Sequence, residues 1–462
     1  MFDTMIGTDS EITITDPRDG SLVGTLVAAE PEEVRAAVRT AVDTAPTWAR
    51  TPAGERGAAL RHAAALLEQR AEELADIEQR ETGRRREQSL GGVHAAVGTL
   101  REQAELAALH RGRSLLGAAD AMDVMRPEPR GVAAVVTPWN DPVAVSAGLI
   151  GAALATGNTV VHKPSERCPH LGALLGEVLQ SALPPGVLST VTGGAEVGEV
   201  LVSCPDVAVV AHVGSTLAGE RIARTVALTG AHLIRENGGN DALIVDDDVD
   251  AEWAAAQAAR GAFTNSGQIC TAVERIFVHR GIADAFLAAL VREAESLHSG
   301  KRALAPLVDE RMRAHVHAHV TDAVTQGARL LTGGQVPEGA GSHYPATVLA
   351  DCAPGMRVLH EETFGPVAAV VSVDDFEHAL ELARRDEHGL AATVLTADTA
   401  HALRAAEVLP VGTVKINAVF GGAPGGAAQP RGRSGAGYGY GPELLNEMTR
   451  TKVIHFEAAV RA

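Results

Sequence analysis

The chain has 462 residues, with 40 Lys and Arg against 58 Asp and Glu, for a formal net charge of −18. That length exceeds one hydrophobic core and calls for two or three domains of about 100–200 residues each, while the acidic balance argues against general nucleic-acid binding or attraction to an anionic membrane. Four cysteines make no disulfide framework, Met1-Phe2-Asp3-Thr4-Met5 lacks a signal-peptide pattern, and the apolar segment 143–155 is shorter than the roughly 20 residues of a bilayer span, so a cytoplasmic protein is expected.

From the N-terminal side, residues 11–27 read as short strands broken by the turn cluster Asp16-Pro17-Arg18-Asp19-Gly20. Val34, Ala37, Val38, Ala41 and Ala45 then recur at helical spacing from Pro31. A second helix is expected from Ala53 to about Glu81, with Leu60, Ala64, Leu67 and Leu74 on one face and a stop at Thr82-Gly83. A third covers Gly92 to Leu109, and Leu115 to Met125 reads as an extended excursion closed by Pro127 and Pro129. Regular alternation follows: strand 132–136, helix 143–156, strand 159–162, helix 169–182, strand 188–191, helix 194–204 and strand 207–212. Apolar strands separated by helices predict a parallel α/β sheet. The alternation resumes after Gly239, with strands at 243–245 and 275–278 and helices near 251–263, 282–297 and 309–326. The Gly-rich stretch 421–441 reads as a loop, and Lys452–Phe456 as a last strand. Lysines are few (Lys163, Lys301, Lys415 and Lys452), so the place of each carries weight.

Residues able to carry chemistry stand near the ends of these strands. Cys270 follows Ser266-Gly267-Gln268, between a helix and a strand, where a loop can expose a thiol. A cysteine in a folded chain is more often a small buried apolar residue; a reactive one needs thiolate character from backbone N–H groups, a base, or both. Glu236 by itself reads as a surface carboxylate or as a general base, and Gly238-Gly239 beside it lets another group approach the backbone closely. Asn140 ends the run Thr137-Pro138-Trp139-Asn140, where open α/β sheets place ligands; its amide suits a turn or an oxyanion. The stretch from Gly214 through Ser215 to Gly219 lies between a strand and a helix and suits either a phosphate at a helix N-terminus or a plain Gly/Ser turn. Lys163 and Glu166, three apart after another strand, suit ribose hydroxyls. No GxxxxGK[ST] or HExxH motif occurs. His315, His317 and His319 alternate in a helical stretch, where only the outer two share a face, and no metal is expected.

Taken in order, Asn140, Lys163, Gly214-Ser215-Thr216, Glu236 with Gly238-Gly239, Cys270 and Glu362-Thr363-Phe364-Gly365-Pro366 resemble the aldehyde dehydrogenase superfamily over essentially the whole chain. The Gly-Gln-x-Cys segment and Glu-Glu-Thr-Phe-Gly-Pro are the most specific of these motifs. The resemblance implies an α/β fold with a parallel-sheet cofactor domain (1–112 and 131–236), an α/β catalytic domain (237–436) and a small β oligomerisation flap (113–130 and 437–462), assembled as homodimers or homotetramers. It implies Cys270 as nucleophile, Glu236 as the base for the hydrolytic water, and Asn140 with the Cys270 N–H as oxyanion donors. Lys163 and Glu166 would hold the adenosine ribose, Trp139, Gly214, Ser215 and Gly219 would line the cofactor cleft, and Glu362 and Phe364 would position the nicotinamide end. The implied reaction oxidises a small-molecule aldehyde to a carboxylate, with NAD preferred to NADP because Glu166 would repel a 2′-phosphate.

Around the substrate the resemblance implies Asp141, Arg101, Ile269 and Thr271. Relatives taking anionic aldehydes often carry a basic residue before the nucleophile; Ile269 stands there, and Asp141 follows Asn140, so a neutral or cationic aldehyde is expected. Arg101, Arg431 and Arg433 stand against that expectation. The chain also departs from the pattern. Members commonly have Leu at the place of Asn237, Lys or a similar residue at Asn240, Phe-Thr at His212-Val213, and Phe-Gly-Gly where Ala428-Gln429-Pro430 stands. Two rival readings remain open: a CoA-acylating aldehyde dehydrogenase, which typically lacks the Glu, and an inactive scaffold, expected to have lost Cys270, Glu236 or Asn140.

Overall fold

Two mainly parallel sheets organise the chain, which the computed structural model describes over residues 11–422 and 426–459. The ends of the expected outer ranges (1–10 and 460–462), and 423–425 of the Gly-rich loop, lie outside the described residues. The first sheet orders Gly435–Ala436, His232–Glu236, Val207–Val213, Val132–Val136, Thr159–Lys163 and Leu188–Thr190. Only its two-residue edge strand runs antiparallel. Helices cover both faces, which is why strands such as Val132–Val136 are continuous apolar runs rather than alternating ones. Leu60, Leu100, Ile150 and Leu175 fill one side, and Val34, Val38, Leu201 and Ile222 the other.

Strand order decides where a ligand can sit. From Val132–Val136 the chain steps to Thr159–Lys163 and Leu188–Thr190 on one side, then crosses to Val207–Val213 and His232–Glu236 on the other. The reversal opens a crevice at the carboxyl ends of the strands. Those ends are the segments bearing Asn140, Lys163, Ser215 and Glu236.

The second sheet orders Arg329–Thr332, Thr347–Ala350, Val367–Val373, Val273–His279, Asp241–Val245, Ala391–Leu395 and Thr413–Ile416, with one antiparallel pair at its first edge. Asp250, Asp309 and Asp375 begin three of its helices, each side chain accepting from a backbone N–H three residues on. A third, antiparallel sheet joins Arg113–Leu115, Ala121–Pro129 and Thr449–Glu457.

Several expectations are corrected. The long second helix is two, Ala53–Gln69 and Ala71–Thr82, parted at Arg70 (φ −102°, ψ 12°). Leu60, Leu67 and Leu74 stay on one buried face across the break, so periodicity cannot reveal it. The next helix starts at Arg86 rather than Gly92, because its first turn is polar and gives no apolar signal. The Gly-rich stretch carries two short strands, Arg431–Gly432 and Gly435–Ala436. The latter pairs with His232–Glu236, and Leu444, Leu445 and Met448 pack into the first sheet's core.

Candidate active site

Cys270 is placed by an unusual backbone. After the helix Ala251–Phe263, three consecutive residues take left-handed φ: Asn265 (51°), Ser266 (56°) and Gly267 (75°). Two of these are not glycine, a conformation costing about 1–3 kcal/mol each unless the surroundings impose it. The surroundings do: Ser266 Oγ donates to the Ala305 carbonyl (2.6 Å), Gln268 Nε2 to the Asn265 carbonyl (3.2 Å), and the Val308 N–H to Gln268 Oε1 (2.9 Å). A Cβ at Gly267 would overlap the Gly365 carbonyl, so the Cys270 loop lies directly on the Glu362–Pro366 turn.

Gly238 and Gly239 do the work expected of them, for two different neighbours. A Cβ at Gly238 would overlap the Glu362 carboxylate, and one at Gly239 would stand 2.6 Å from the Cys270 carbonyl oxygen. The Gly239 N–H donates to Glu362 Oε1 at 3.1 Å. Glu274 holds the far side of that turn, accepting from the Thr363 and Phe364 N–H groups at 2.6 and 2.8 Å. Phe364, at φ 51°, meets Trp139 edge to face with ring centroids 5.5 Å apart. Asn140 Nδ2 donates to the Gln268 carbonyl at 3.2 Å, which fixes the amide beside the cysteine and leaves its second N–H free for another acceptor. Glu236 ends its strand with Gly439 packed on its carboxylate. Four segments far apart in sequence thus meet around Cys270.

Burial, with the carboxylates of Glu236, Asp241 and Glu362 around it, pushes the Cys270 thiol up to about 12, so by itself it is a thiol and not a thiolate. Burial likewise pushes Glu236 up to about 7, against the Gly439 N–H, and Asp241 up to about 8. Glu362 is raised well above the usual range by burial and by Glu274. Carboxyls tuned toward neutrality mark a site where protons move. Cys168, Cys204 and Cys352 are buried, and Cys270 is the partly exposed one.

The family model for the "Aldehyde dehydrogenase family" matches residues 5–454. The chain belongs to the aldehyde dehydrogenase family. It is 36% identical to the α-ketoglutarate semialdehyde dehydrogenase of Haloferax volcanii over 87% of this chain and 86% of that one. It is also 36% identical to the NAD(+) benzaldehyde dehydrogenase of Pseudomonas putida, over 96% and 92%. A solved E. coli NADP-dependent enzyme superposes with a TM-score of 0.93 at 31% identity, covering 97% and 95% of the two chains. This aldehyde dehydrogenase is accordingly an NAD(P)-dependent oxidoreductase that oxidises aldehydes to acids.

The residues of this aldehyde dehydrogenase fit NAD(P). Lys163 Nζ uses one donor on the Pro164 carbonyl (3.0 Å) and lies 3.9 Å from Glu166, a donor and an acceptor spaced for neighbouring hydroxyls. Ser215 caps the helix Thr216–Thr229, accepting from the Ala218 N–H, so a helix N-terminus faces the crevice. Gly214 and Gly219 each admit a close neighbour: a Cβ at Gly214 would stand 2.8 Å from the His212 ring, and one at Gly219 would overlap Asn237 Oδ1. Asn237 itself donates to the Arg433 carbonyl (2.6 Å) and Asn240 to Asp386 (2.7 Å), so both departures bind this turn to neighbouring segments.

Ile269 and Thr271 adjoin Cys270 in the chain and, like it, are partly exposed. The basic candidates do not gather there. Arg101 is exposed and paired with Glu68 at 2.6 Å, Arg433 pairs with Glu220 and Glu387, and Arg431 is exposed on its short strand. Asp141 is bonded at 2.7 Å to Arg84, which also holds the buried Glu78 at 2.9 Å. The expectation of a neutral or cationic aldehyde rested on Ile269 before the nucleophile and on Asp141, and Arg84 offsets the Asp141 charge. Arg84, Glu274, Gly439 and Tyr440 were not foreseen; each acts through a fold contact that leaves no local pattern. Among the described residues no group of His, Cys, Asp and Glu is placed to hold a metal, and no helix is long and apolar enough to cross a membrane.

Proposed function

We propose that this aldehyde dehydrogenase works through Cys270 as nucleophile and Glu236 as the base for hydrolysis, with Asn140 as oxyanion donor. The observation that carries the reading is the convergence of these three residues, from separate segments, around the one partly exposed cysteine. The Cys270 thiol releases its proton to solvent, and the thiolate adds to the aldehyde carbon to form a thiohemiacetal oxyanion. The negative oxygen takes hydrogen bonds from the free Asn140 N–H and the Cys270 N–H. NAD(P), when bound, supplies a cationic ring that favours the thiolate and accepts a hydride from carbon. Lys163 and Glu166 would hold its ribose, the capped helix its phosphates, and Glu362, Trp139 and Phe364 its reactive end. Glu236 then takes a proton from water as the water oxygen attacks the thioester carbon, and the thiol leaves. The acid is released and Cys270 is restored.

Glu236 also favours water over CoA as acyl acceptor, and the presence of all three residues argues against an inactive scaffold. NAD(P)H absorbance with short aldehydes, with and without CoA, tests this: turnover independent of CoA is expected, and a strict CoA requirement would reverse it.

NAD is the proposed cofactor over NADP, because a 2′-phosphate would meet the half-exposed Glu166 carboxylate. Two such charges about 4 Å apart repel by on the order of 1–4 kcal/mol, partly offset by Lys163. NAD should therefore show at least roughly fivefold higher kcat/KM, and Glu166→Gln should narrow the gap. Equal values in the unaltered protein would remove the basis for this choice.

The domain division and the homodimer or homotetramer remain part of the proposal. The antiparallel sheet supports assembly: its outer strand exposes Val453 (61%) and Phe456 (62%). Four free cysteines fit a reducing compartment, and a cytoplasmic site is proposed with them.

A further inference from the structure

Glu274 is a buried carboxylate to which the reaction above gives no task. It stands second in the strand Val273–His279, shortly after Cys270. On the adjoining strand Asp241 faces Val273 and Ala242 faces Arg275, so Glu274 is the extra residue of a bulge. A bulge re-aims a side chain out of the regular alternation. The neighbouring Arg275 is engaged elsewhere, donating to the Asn240 carbonyl at 2.7 Å and lying 3.6 Å from Asp386.

The re-aimed carboxylate reaches the turn that carries Glu362 and Phe364. Each of its oxygens accepts one backbone N–H, from Thr363 at 2.6 Å and from Phe364 at 2.8 Å. Phe364 is left-handed, at φ 51°, and a left-handed residue lets successive N–H groups converge into an anion-binding hollow. The carboxylate fills that hollow and so holds a backbone that a bulky residue otherwise avoids. In this conformation the Phe364 ring meets Trp139, with centroids 5.5 Å apart. The helix Glu310–Thr325 grips the same turn from another side. His315 Nε2 donates to the Glu362 carbonyl at 3.1 Å, and His319 Nδ1 meets the Thr363 hydroxyl at 3.1 Å. Two of the three alternating histidines thus serve this turn, while His317 meets Tyr344.

We propose that Glu274 is a positioning residue for hydride transfer: by holding the Thr363 and Phe364 N–H groups it fixes where Glu362 and Phe364 meet the reactive end of NAD(P). This rests on the reading that those two residues position that end and that Cys270 and Glu236 carry the reaction. Glu274 acts through the turn. Loosening the turn slows the hydride step, and it affects thioester hydrolysis by Glu236 and water far less.

The test compares NAD-dependent oxidation of butanal with hydrolysis of p-nitrophenyl acetate in the absence of cofactor. Both are measured above the pH of about 7 to which burial pushes Glu236, for the unaltered protein, Glu274→Met and Glu274→Gln. In the second reaction the Cys270 sulfur displaces p-nitrophenolate and water then cleaves the thioester, so the same groups act without a hydride. The ratio of the two kcat values, oxidation over hydrolysis, should fall roughly 10–100-fold in Glu274→Met, which offers the turn no acceptor. It should fall less in Glu274→Gln, which keeps one, and this variant decides the matter if Glu274→Met does not fold. The isotope effect on oxidation of butanal deuterated at C1 should rise as the hydride step becomes limiting. An unchanged ratio, with both activities kept or both lost in parallel with Tm, overturns the proposal and makes Glu274 a structural residue. Glu362→Gln and Phe364→Ala separate it from its premise. If they lower the ratio and the Glu274 variants do not, this proposal alone fails; if they leave the ratio unchanged, the reading of Glu362 and Phe364 fails and takes it along.

Discussion

Cys270→Ala is expected to retain less than about a hundredth of the unaltered kcat, since general-base help alone supplies no more than about 10²–10⁴-fold and here would have to act without a nucleophile. The fold should survive the change. The neighbouring Gly239 packs on the Cys270 carbonyl oxygen, which alanine keeps, and the side chain is partly exposed. Cys352→Ala is the contrasting control. Its sulfur is buried in the core of the second sheet, so its loss should cost stability of about 1 kcal/mol and leave turnover in place. Steady-state NADH formation and a thermal melt separate the two cases. Turnover above about a hundredth in Cys270→Ala would make another group the nucleophile.

Glu236→Gln should leave a burst of about one NADH per active site and slow steady turnover by roughly 10²–10⁴-fold, because the amide keeps the shape but accepts no proton from water. The pH dependence has a definite sign. Burial pushes the Glu236 carboxyl up to about 7, so below that pH it is protonated and cannot act as a base. Turnover should therefore rise as pH passes through about 7, and Glu236→Gln should lose that limb of the profile. Stopped-flow absorbance reads both effects. Loss of the burst together with turnover would place Glu236 in formation of the thiolate instead, a role that the raised Cys270 thiol makes a real competitor.

Much of this was legible in the sequence because the relevant signals are local. Apolar runs such as Val132–Val136 announce strands covered on both faces, and Gly238-Gly239 announces close approach before its partners are known. The second sheet was less legible: only two of its seven strands were read, since Thr347–Ala350 and Thr413–Ile416 are four-residue segments with little periodicity. Charge compensation was not legible at all. Arg84 stands 57 residues from Asp141, and only the fold brings them to 2.7 Å. The same holds for the carboxylates around Cys270, which come from separate segments and together favour a thiol at rest.

The most direct test weighs the intermediate itself. Glu236→Gln, mixed with NAD and an aldehyde and quenched in acid, should yield the tryptic peptide Gly261–Arg275 heavier by one acyl group, with the modification on Cys270. NADH formed in the burst while that peptide stays at its unmodified mass, or an acyl group found on a different residue, would contradict a Cys270 thioester.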